Sequence, residues 1–351
     1  EFEQGRPLIE SLKKEHPEYK ILLSFFSPSG YQQKKDYELA DKVMYLPPDC
    51  PANAKYFVNA LRPSIAIFIK YEFWYNYLAA LRENNIPTVF ISSLFREKQV
   101  FFRWYGGWFR KKLQSIDHFF VQDKPSAELL KSIGIDQHTV SGDTRFDRVA
   151  DILKSKPTNQ HIEEFCHGNK VVVAGSTWPP DENILTALLK ANPALKLIIA
   201  PHEIKEERIA QLLNTLNVDA ARYTQDAAES WQDKQLLIID TIGILSSIYR
   251  YADLAYIGGA FATGLHNIQE PAVNGIPVIF GPKYHKFSEA IGLVEKGGAF
   301  SINTEKELID IVNVLLSDEN KYQSACRVSK QYMLESTGAT QKIMDGLSPY
   351  L

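Results

Sequence analysis

A glycine-rich segment with several hydrogen-bonding side chains follows one of the apolar runs of the chain. Gly258 and Gly259 allow the backbone to approach an anion, and a helix opening near Glu270 would offer free N–H groups and the positive end of its dipole. The Glu270 carboxylate can accept hydrogen bonds from two vicinal ribose hydroxyls. His266 and Asn267 add polar groups that a tight turn does not need. The segment predicts a phosphate and ribose site, with an ordinary strand–turn–helix as the alternative.

Two further corners have polar residues directly after an apolar run. Gly175 precedes Ser176 and Thr177, whose hydroxyls suit either an anion or the cap of the following helix. His202 follows the run that ends at Ala200. Because ligands of parallel α/β sheets bind at the carboxyl ends of strands, we interpret His202 as a ligand-binding residue.

The N-terminal half offers two carboxylates. Glu72 follows the apolar run 65–69, where it is either a site residue or a solvated carboxylate at a helix start. Glu1 precedes a helix that Pro7 would help to initiate, and its position alone indicates only a frayed terminus. Since the chain starts with Glu1 rather than methionine, we expect further sequence upstream of it. A membrane anchor in that upstream sequence is compatible with this expectation.

Composition and missing motifs exclude several classes of protein. The 351 residues, 45% of them apolar, suit two domains, and no apolar run approaches the roughly 18 residues needed to span a bilayer. The three separated cysteines argue for a reducing compartment and against a disulfide framework or a zinc site. Neither an Asp-x-Asp pair, a serine-hydrolase elbow, a Walker loop nor a dinucleotide fingerprint occurs. We therefore expect chemistry without a metal or other cofactor, in a cytoplasmic setting.

Positive charge and aromatic residues concentrate in residues 96–112, hereafter the basic-aromatic segment. Residues 1–150 carry a net charge of about +3 and the remainder about −6. Such mixed cations and aromatics suit a lipid headgroup interface, whereas the pI of about 6.3 does not favour nucleic acid. A helix with core aromatics and solvated cations is the alternative. The membrane-contact candidates are Arg103, Trp104, Trp108, Arg110 and Lys111.

Apolar β-rich runs alternate with amphipathic stretches along the whole chain, which predicts parallel sheets with helices on both faces. The fold class is α/β, with two doubly wound Rossmann-like domains facing a cleft. We place the domain boundary in the polar segment 148–160, which gives domains 1–150 and 151–351. The last helix of the chain is predicted to pack back on the first domain. The predicted strands are Ile21–Phe26, Ile65–Ile69, Thr88–Ile91, Phe119–Val121, Val171–Ala174, Leu197–Ala200, Leu236–Ile239, Leu254–Ile257 and Val278–Phe280.

The candidate site residues, in their order and spacing, resemble those of the bacterial 3-deoxy-D-manno-oct-2-ulosonic acid (Kdo) transferases of lipid A and lipopolysaccharide biosynthesis. The resemblance covers essentially the whole chain. The matching segments are Glu1–Gln4, Glu72–Asn76, Gly142–Asp147, Ala174–Trp178, Ala200–His202 and Gly258–Pro271. The resemblance implies the glycosyltransferase B fold and a metal-independent reaction that inverts the anomeric centre.

The same resemblance implies residue roles. Glu1 matches the family's catalytic glutamate, and Glu72 supports the acceptor side. The implied partners are CMP-Kdo, a lipid A precursor and the cytoplasmic face of the inner membrane of a Gram-negative bacterium, whereas the oligomeric state is not indicated. Competing hypotheses are a UDP-sugar transferase, a nucleotide-sugar epimerase or a non-catalytic lipid-surface module. The implied donor-binding residues are Ser176, Thr177, His202, Gly258, Gly259, His266, Asn267 and Glu270.

Overall fold

The computed structural model describes residues 1–149, 158–262 and 264–351. The chain divides into two compact units: an N-terminal unit of Glu1–Arg148 with Ser336–Leu351, and a C-terminal unit of Val149–Glu335. Most of the predicted boundary segment, residues 150–157, lies outside the described residues.

The N-terminal unit alternates short strands and helices. Its strands are β1 (Leu22–Phe25), β2 (Lys42–Tyr45), β3 (Ala66–Ile69), β4 (Thr88–Ser93), β5 (His118–Val121) and β6 (His138–Val140). Its helices are α1 (Phe2–Glu15), α2 (Pro28–Lys34), α3 (Pro51–Leu61), α4 (Tyr75–Glu83), α5 (Gly107–Leu113), α6 (Lys124–Ser132) and, at the end of the chain, α15 (Ala339–Leu347).

Two parallel sheets form in this unit, the pair β1–β2 and the sheet β3–β4–β5–β6. Because successive side chains of a strand point to opposite faces, the second sheet separates two apolar clusters. The first includes Phe90, Phe119, Leu113 and Leu130, and the second Val89, Ile91, Phe120, Leu8, Ile343 and Leu347. Helices α1 and α15 lie together over the second cluster. Residues 336–351 thereby complete the core of the N-terminal unit.

The C-terminal unit has the same alternation. Its strands are β7 (Val171–Thr177), β8 (Lys196–Pro201), β9 (Ala220–Arg222), β10 (Leu236–Ile238), β11 (Leu254–Ile257), β12 (Val278–Phe280) and β13 (Ala299–Ser301). Its helices are α7 (Gln160–Cys166), α8 (Pro179–Ala191), α9 (Glu206–Leu216), α10 (Leu245–Ile248), α11 (Gln269–Val273), α12 (Ser288–Lys296), α13 (Glu305–Ser317) and α14 (Glu319–Glu335).

The sheet of this unit is parallel, with strand order β13–β12–β11–β7–β8–β10–β9. Its central strands are buried on both faces, which explains the continuous apolar runs of β7, β8 and β11. The predicted α/β class with parallel sheets is confirmed.

Strand positions predicted from apolar runs agree with the structure, but β2, β6, β9 and β13 were not predicted. These strands are only three or four residues long and each contains at least one polar residue, so they carry little periodic signal. Helix α1 begins at Phe2, five residues before the predicted start at Pro7. Pro7 lies inside the helix, where its missing N–H deprives one carbonyl of a hydrogen bond.

Candidate active site

The sheet of the C-terminal unit changes direction between β7 and β11. These strands are neighbours, but the chain leaves β7 toward β8 and leaves β11 toward β12, on opposite sides. Ligands of doubly wound sheets bind outside the carboxyl ends of the strands at such a switch point. Ser176 and Gly258 lie at the ends of these two strands. The strand order therefore supports the predicted location of the ligand-binding site.

The backbone at the end of β7 is strained. Ser176 has a φ of 54°, in the left-handed region that non-glycine residues seldom adopt, and the β7–β8 register shifts between Gly175 and Thr177. Strain of this kind persists where the surroundings enforce it and is frequent at functional sites. One surrounding residue is Tyr249, whose hydroxyl oxygen would lie 1.9 Å from a Cβ atom at Gly175. Gly175 therefore makes room for the Tyr249 hydroxyl.

Asp181, in the first turn of α8, connects the β7 and β11 corners. Its Oδ2 accepts hydrogen bonds from the backbone N–H groups of Trp178 (2.9 Å) and Gly259 (3.0 Å), and its Oδ1 accepts one from the Tyr256 hydroxyl (2.8 Å). The Asp181 side chain is almost fully buried. Burial and the nearby Asp181 charge raise the pKa of Tyr256, which keeps this hydroxyl a donor.

The predicted roles of the Gly258 and Gly259 amides need correction. The Gly258 N–H donates to the carbonyl of Gly175 (2.9 Å), and the Gly259 N–H is held by Asp181, so neither amide is free to bind phosphate. The helix amide of Gln269 is likewise capped, by the Asn267 side chain at 3.0 Å.

These glycines serve close packing. A Cβ at Gly258 would lie 2.4 Å from the Ser176 carbonyl oxygen, and one at Gly259, which has a φ of 92°, would lie 2.4 Å from the Gly264 carbonyl oxygen. Among the described residues of this loop, the amides of Phe261 and Leu265 are two of those that make no hydrogen bond within the protein, so they are available to an anion. Thr263, within the predicted cradle, lies outside the described residues.

Thr177 also differs from its predicted role. Its side chain is buried, and its hydroxyl donates to Glu182 Oε1 at 3.1 Å rather than binding an anion or capping α8. Glu182 is completely buried and pairs with the Arg208 guanidinium on α9. This buried carboxylate holds the end of β7, whereas the neighbouring Ser176 remains partly exposed.

Three aromatic rings meet where β7, β8 and β11 end. The Trp178 and His202 rings are stacked with centroids 4.6 Å apart, and the His202 and His266 rings are stacked at 4.7 Å. The Trp178 indole N–H donates to His266 Nε2 at 3.1 Å. Burial, followed by the charge of nearby His202, lowers the pKa of His266 despite the opposing effect of Asp181. His266 is therefore a neutral imidazole near neutral pH.

Asn267 and Glu270 lie next to this ring cluster. The Asn267 amide donates to Glu270 Oε1 at 3.2 Å, and Glu270 is the second residue of the short helix α11. Tyr249 lies near the same corner. Burial raises the pKa of Tyr249, and the charge of nearby Glu270 raises it further. Tyr249, Trp178 and Asp181 are site residues that the sequence reasoning missed. Trp178 and Asp181 follow Thr177 closely in the sequence, which could have indicated them as site residues. No feature of the sequence around Tyr249 indicates that it is one.

A second polar cluster lies in the N-terminal unit at the carboxyl ends of β3, β4 and β6. Glu1 and Glu72 are brought together there: burial, followed by the Glu1 charge, raises the pKa of Glu72. The pKa of Tyr71 is raised by burial, and the charges of Arg96 and Arg145 act on it in the opposite direction. The charges of two carboxylates, Glu1 and Asp143, act on Tyr71 together with these two guanidinium groups.

Arg145 was not predicted as a site residue, although it belongs to the Gly142–Asp147 segment. Its guanidinium makes two hydrogen bonds to Asp143 Oδ2, at 2.9 and 2.7 Å. Its neighbour Thr144 donates to the carbonyl of Gln4 at 2.6 Å and contacts the Ser92 hydroxyl at 3.1 Å. This buried network holds the first turn of α1, and with it Glu1, against the end of β4.

The raised pKa of Glu72 predicts a pH-dependent stability. Because the folded state binds this proton more tightly than the unfolded state, the residue's contribution to folding is complete below the ordinary carboxyl pKa of about 4.5 and is lost as pH rises through the raised value. We expect Glu72→Gln to raise the melting temperature, relative to the unsubstituted protein, more at pH 7 than at pH 4. Thermal melts across this range check it, with the exposed Glu83→Gln as control. The same difference at every pH would contradict the prediction.

The basic-aromatic segment is divided between core and surface. Phe101 is buried in the first apolar cluster, and Phe102 and Phe109 pack against it. By contrast, Trp104 is 90% and Trp108 56% exposed. The exposed rings stand beside Arg103, Arg110 and Lys111 on and before α5. Neither sequence interpretation describes the whole segment, because only some of its aromatics belong to the core.

The described residues contain neither a membrane-spanning helix nor a cluster of metal ligands. In residues 1–149, 158–262 and 264–351, no helix is both long enough and apolar enough to cross a bilayer. Within the same described ranges, no group of three or more His, Cys, Asp or Glu side chains is placed to hold a metal ion. Metal independence stays a prediction.

Comparisons with known proteins agree with the sequence resemblance. Residues 1–148 match the family model for 3-deoxy-D-manno-octulosonic acid (Kdo) transferase. The chain is 26% identical to the 3-deoxy-D-manno-octulosonic acid transferase of Haemophilus influenzae, covering 98% of this chain and 83% of that protein. Identity to the enzyme of the same name from Aquifex aeolicus is 28%, over 95% of this chain and 89% of that protein.

A solved structure shows the same fold. The UDP-GlcNAc 2-epimerase from Neisseria meningitidis, bound to UDP-GlcNAc, has a TM-score of 0.69 and 14% identity, covering 99% of this chain and 96% of that one. The sequence matches indicate a glycosyltransferase. More narrowly, the chain is similar to Kdo transferases over nearly its whole length, as the sequence resemblance predicted.

Proposed function

We propose that this protein is an inverting, metal-independent glycosyltransferase that moves Kdo from CMP-Kdo to a lipid A precursor at the cytoplasmic face of the inner membrane. The observation that carries the proposal is the family match over residues 1–148, because that part of the chain holds Glu1 and Glu72 together. The switch-point site of the C-terminal unit supports it with a place for a nucleotide.

The proposed reaction is a single displacement. Glu1 takes the proton of the acceptor hydroxyl while the hydroxyl oxygen forms a bond to the anomeric carbon of Kdo. The bond from that carbon to the phosphate oxygen breaks on the opposite face, and CMP leaves with the electron pair. Glu72, whose pKa is raised by burial and then by the Glu1 charge, lies on the acceptor side. Ser176, His202, His266, Asn267 and Glu270 hold the donor.

Transfer of radiolabelled Kdo from CMP-Kdo to a lipid A precursor tests the proposal. Product formation with chelator present is expected, and its absence with a soluble, folded protein would contradict the proposal. Calorimetry with CMP, UDP and UMP separates the competing classes. A UDP-sugar transferase or epimerase should bind UDP more tightly than CMP, whereas a non-catalytic lipid-surface module should bind vesicles without turnover.

The exposed part of the basic-aromatic segment is the proposed membrane contact. Burying two aromatic side chains at a lipid interface is worth several kcal/mol, so Trp104→Ala with Trp108→Ala should weaken binding to anionic phospholipid vesicles by at least about tenfold. Vesicle sedimentation measures this, and raising the salt should weaken binding further because of Arg103, Arg110 and Lys111. Tyr56→Ala, an exposed aromatic of the same unit, is the matched control. Equal binding by the double variant and the control variant would refute the contact.

A further inference from the structure

We propose that Trp178 is a positioning residue that fixes His266 as a neutral imidazole with its proton on Nδ1, directed at the phosphate of the donor. The tautomer assignment stands on the geometry of the C-terminal unit. The phosphate assignment rests on the proposed function.

The hydrogen bond between the two side chains sets the tautomer. Trp178 Nε1 and His266 Nε2 are 3.1 Å apart. An indole nitrogen can only donate, so Nε2 must accept. A neutral imidazole has one protonated and one unprotonated nitrogen, so the proton of His266 lies on Nδ1. A doubly protonated ring would place two N–H groups against each other.

The surroundings of His266 favour the neutral ring. The facing groups are His202 at the end of β8, which stacks on it, and Asp181 in α8. The Asp181 carboxylate favours the protonated form, but it already accepts three hydrogen bonds from Trp178, Gly259 and the Tyr256 hydroxyl. Burial and His202 act the other way and dominate.

The ring is also held in place sterically. A Cβ at Gly259 would lie 2.8 Å from His266 Cδ2, so the glycine lets the imidazole lie directly on the backbone. His202 stacks on the ring and on the Trp178 indole. Rotation of His266 would break the indole hydrogen bond, so both its orientation and its tautomer are determined by the same contact.

Nδ1 is the atom of His266 left for a ligand. Among the described residues, no side chain or backbone group is hydrogen-bonded to it. A donor oriented before the substrate arrives needs no reorganisation as negative charge develops on the leaving phosphate. The Nδ1–H group, together with the Phe261 and Leu265 amides, would replace the Gly258 and Gly259 amides as the phosphate donors.

The first test reads the tautomer directly. Nitrogen-15 NMR of the imidazole in the ligand-free protein should show a protonated Nδ1 and an unprotonated Nε2 for His266. Trp178→Phe keeps an aromatic ring but removes the donor, so the ε tautomer should become populated and the pKa of His266 should rise. Trp231→Phe, which removes an indole N–H elsewhere in the same unit, is the matched control and should change neither. A protonated Nε2 in the unsubstituted protein, or an unchanged tautomer in Trp178→Phe, overturns the proposal.

The second test asks whether Nδ1 meets the phosphate. Loss of one oriented hydrogen bond should raise the dissociation constant of CMP and the KM of CMP-Kdo about two- to tenfold in Trp178→Phe. His266→Asn, whose amide nitrogen lies near the position of Nδ1, should retain more CMP affinity than His266→Gln, whose amide lies near Nε2. The reverse order overturns the phosphate assignment. Failure of the unsubstituted protein to bind CMP would overturn the proposed function, while the NMR result would still decide the tautomer.

Discussion

We expect Glu1→Gln to lower kcat about 10²- to 10⁴-fold with little change in CMP affinity. This is the range that general base catalysis contributes, and the amide cannot take the acceptor proton. The substitution also removes the charge that raises the pKa of Glu72, so the variant should be no less stable than the parent. Single-turnover transfer of labelled Kdo measures the chemical step, and calorimetry with CMP measures donor binding.

The design of this experiment follows from the position of Glu1. In this chain the terminal ammonium lies on the same residue and lowers the pKa of Glu72, so the substitution belongs in a protein extended upstream of Glu1. Glu3→Gln is the matched control, because Glu3 lies in the same helical turn and pairs with Lys34 at the surface, at 3.6 Å. Turnover of the Glu1→Gln protein at the rate of the Glu3→Gln protein would remove Glu1 from the mechanism.

Asp181→Ala should cost the protein about 3 to 5 kcal/mol of folding free energy. Three buried donors lose their shared acceptor: the amides of Trp178 and Gly259 and the hydroxyl of Tyr256. Each unsatisfied buried donor costs about 1 to 3 kcal/mol, and the site is too enclosed to compensate fully with water. The substitution also removes the side-chain link between the β7 and β11 corners, so CMP binding should fall as well.

Urea denaturation followed by circular dichroism measures this loss. Asp181→Asn retains one carbonyl oxygen and should be intermediate. Asp310→Ala removes an exposed carboxylate from α13 in the same unit and should cost less than about 0.5 kcal/mol. A loss for Asp181→Ala as small as for Asp310→Ala would mean that the three donors find other acceptors.

The position of the candidate site residues at strand ends was predictable from sequence. Apolar runs end just before Ser176, His202, Gly258 and Glu72, and parallel sheets gather the carboxyl ends of their strands at one edge. The function of individual groups at those positions was less predictable. Thr177 and the two glycine amides are polar groups in the expected place, yet their hydrogen bonds are used inside the protein.

The order of residue types along this chain was sufficient for the α/β class, for the strands with long apolar runs and for the similarity to Kdo transferases, because these depend on local periodicity and on spacing. It was not sufficient for the partners of each polar atom. The Tyr249 hydroxyl fills the space beside Gly175, and the Trp178 indole holds His266. Arg145 lies near Tyr71 and Glu1 although these residues are far apart in the sequence. Such contacts arise from strand order and packing, which local sequence does not encode.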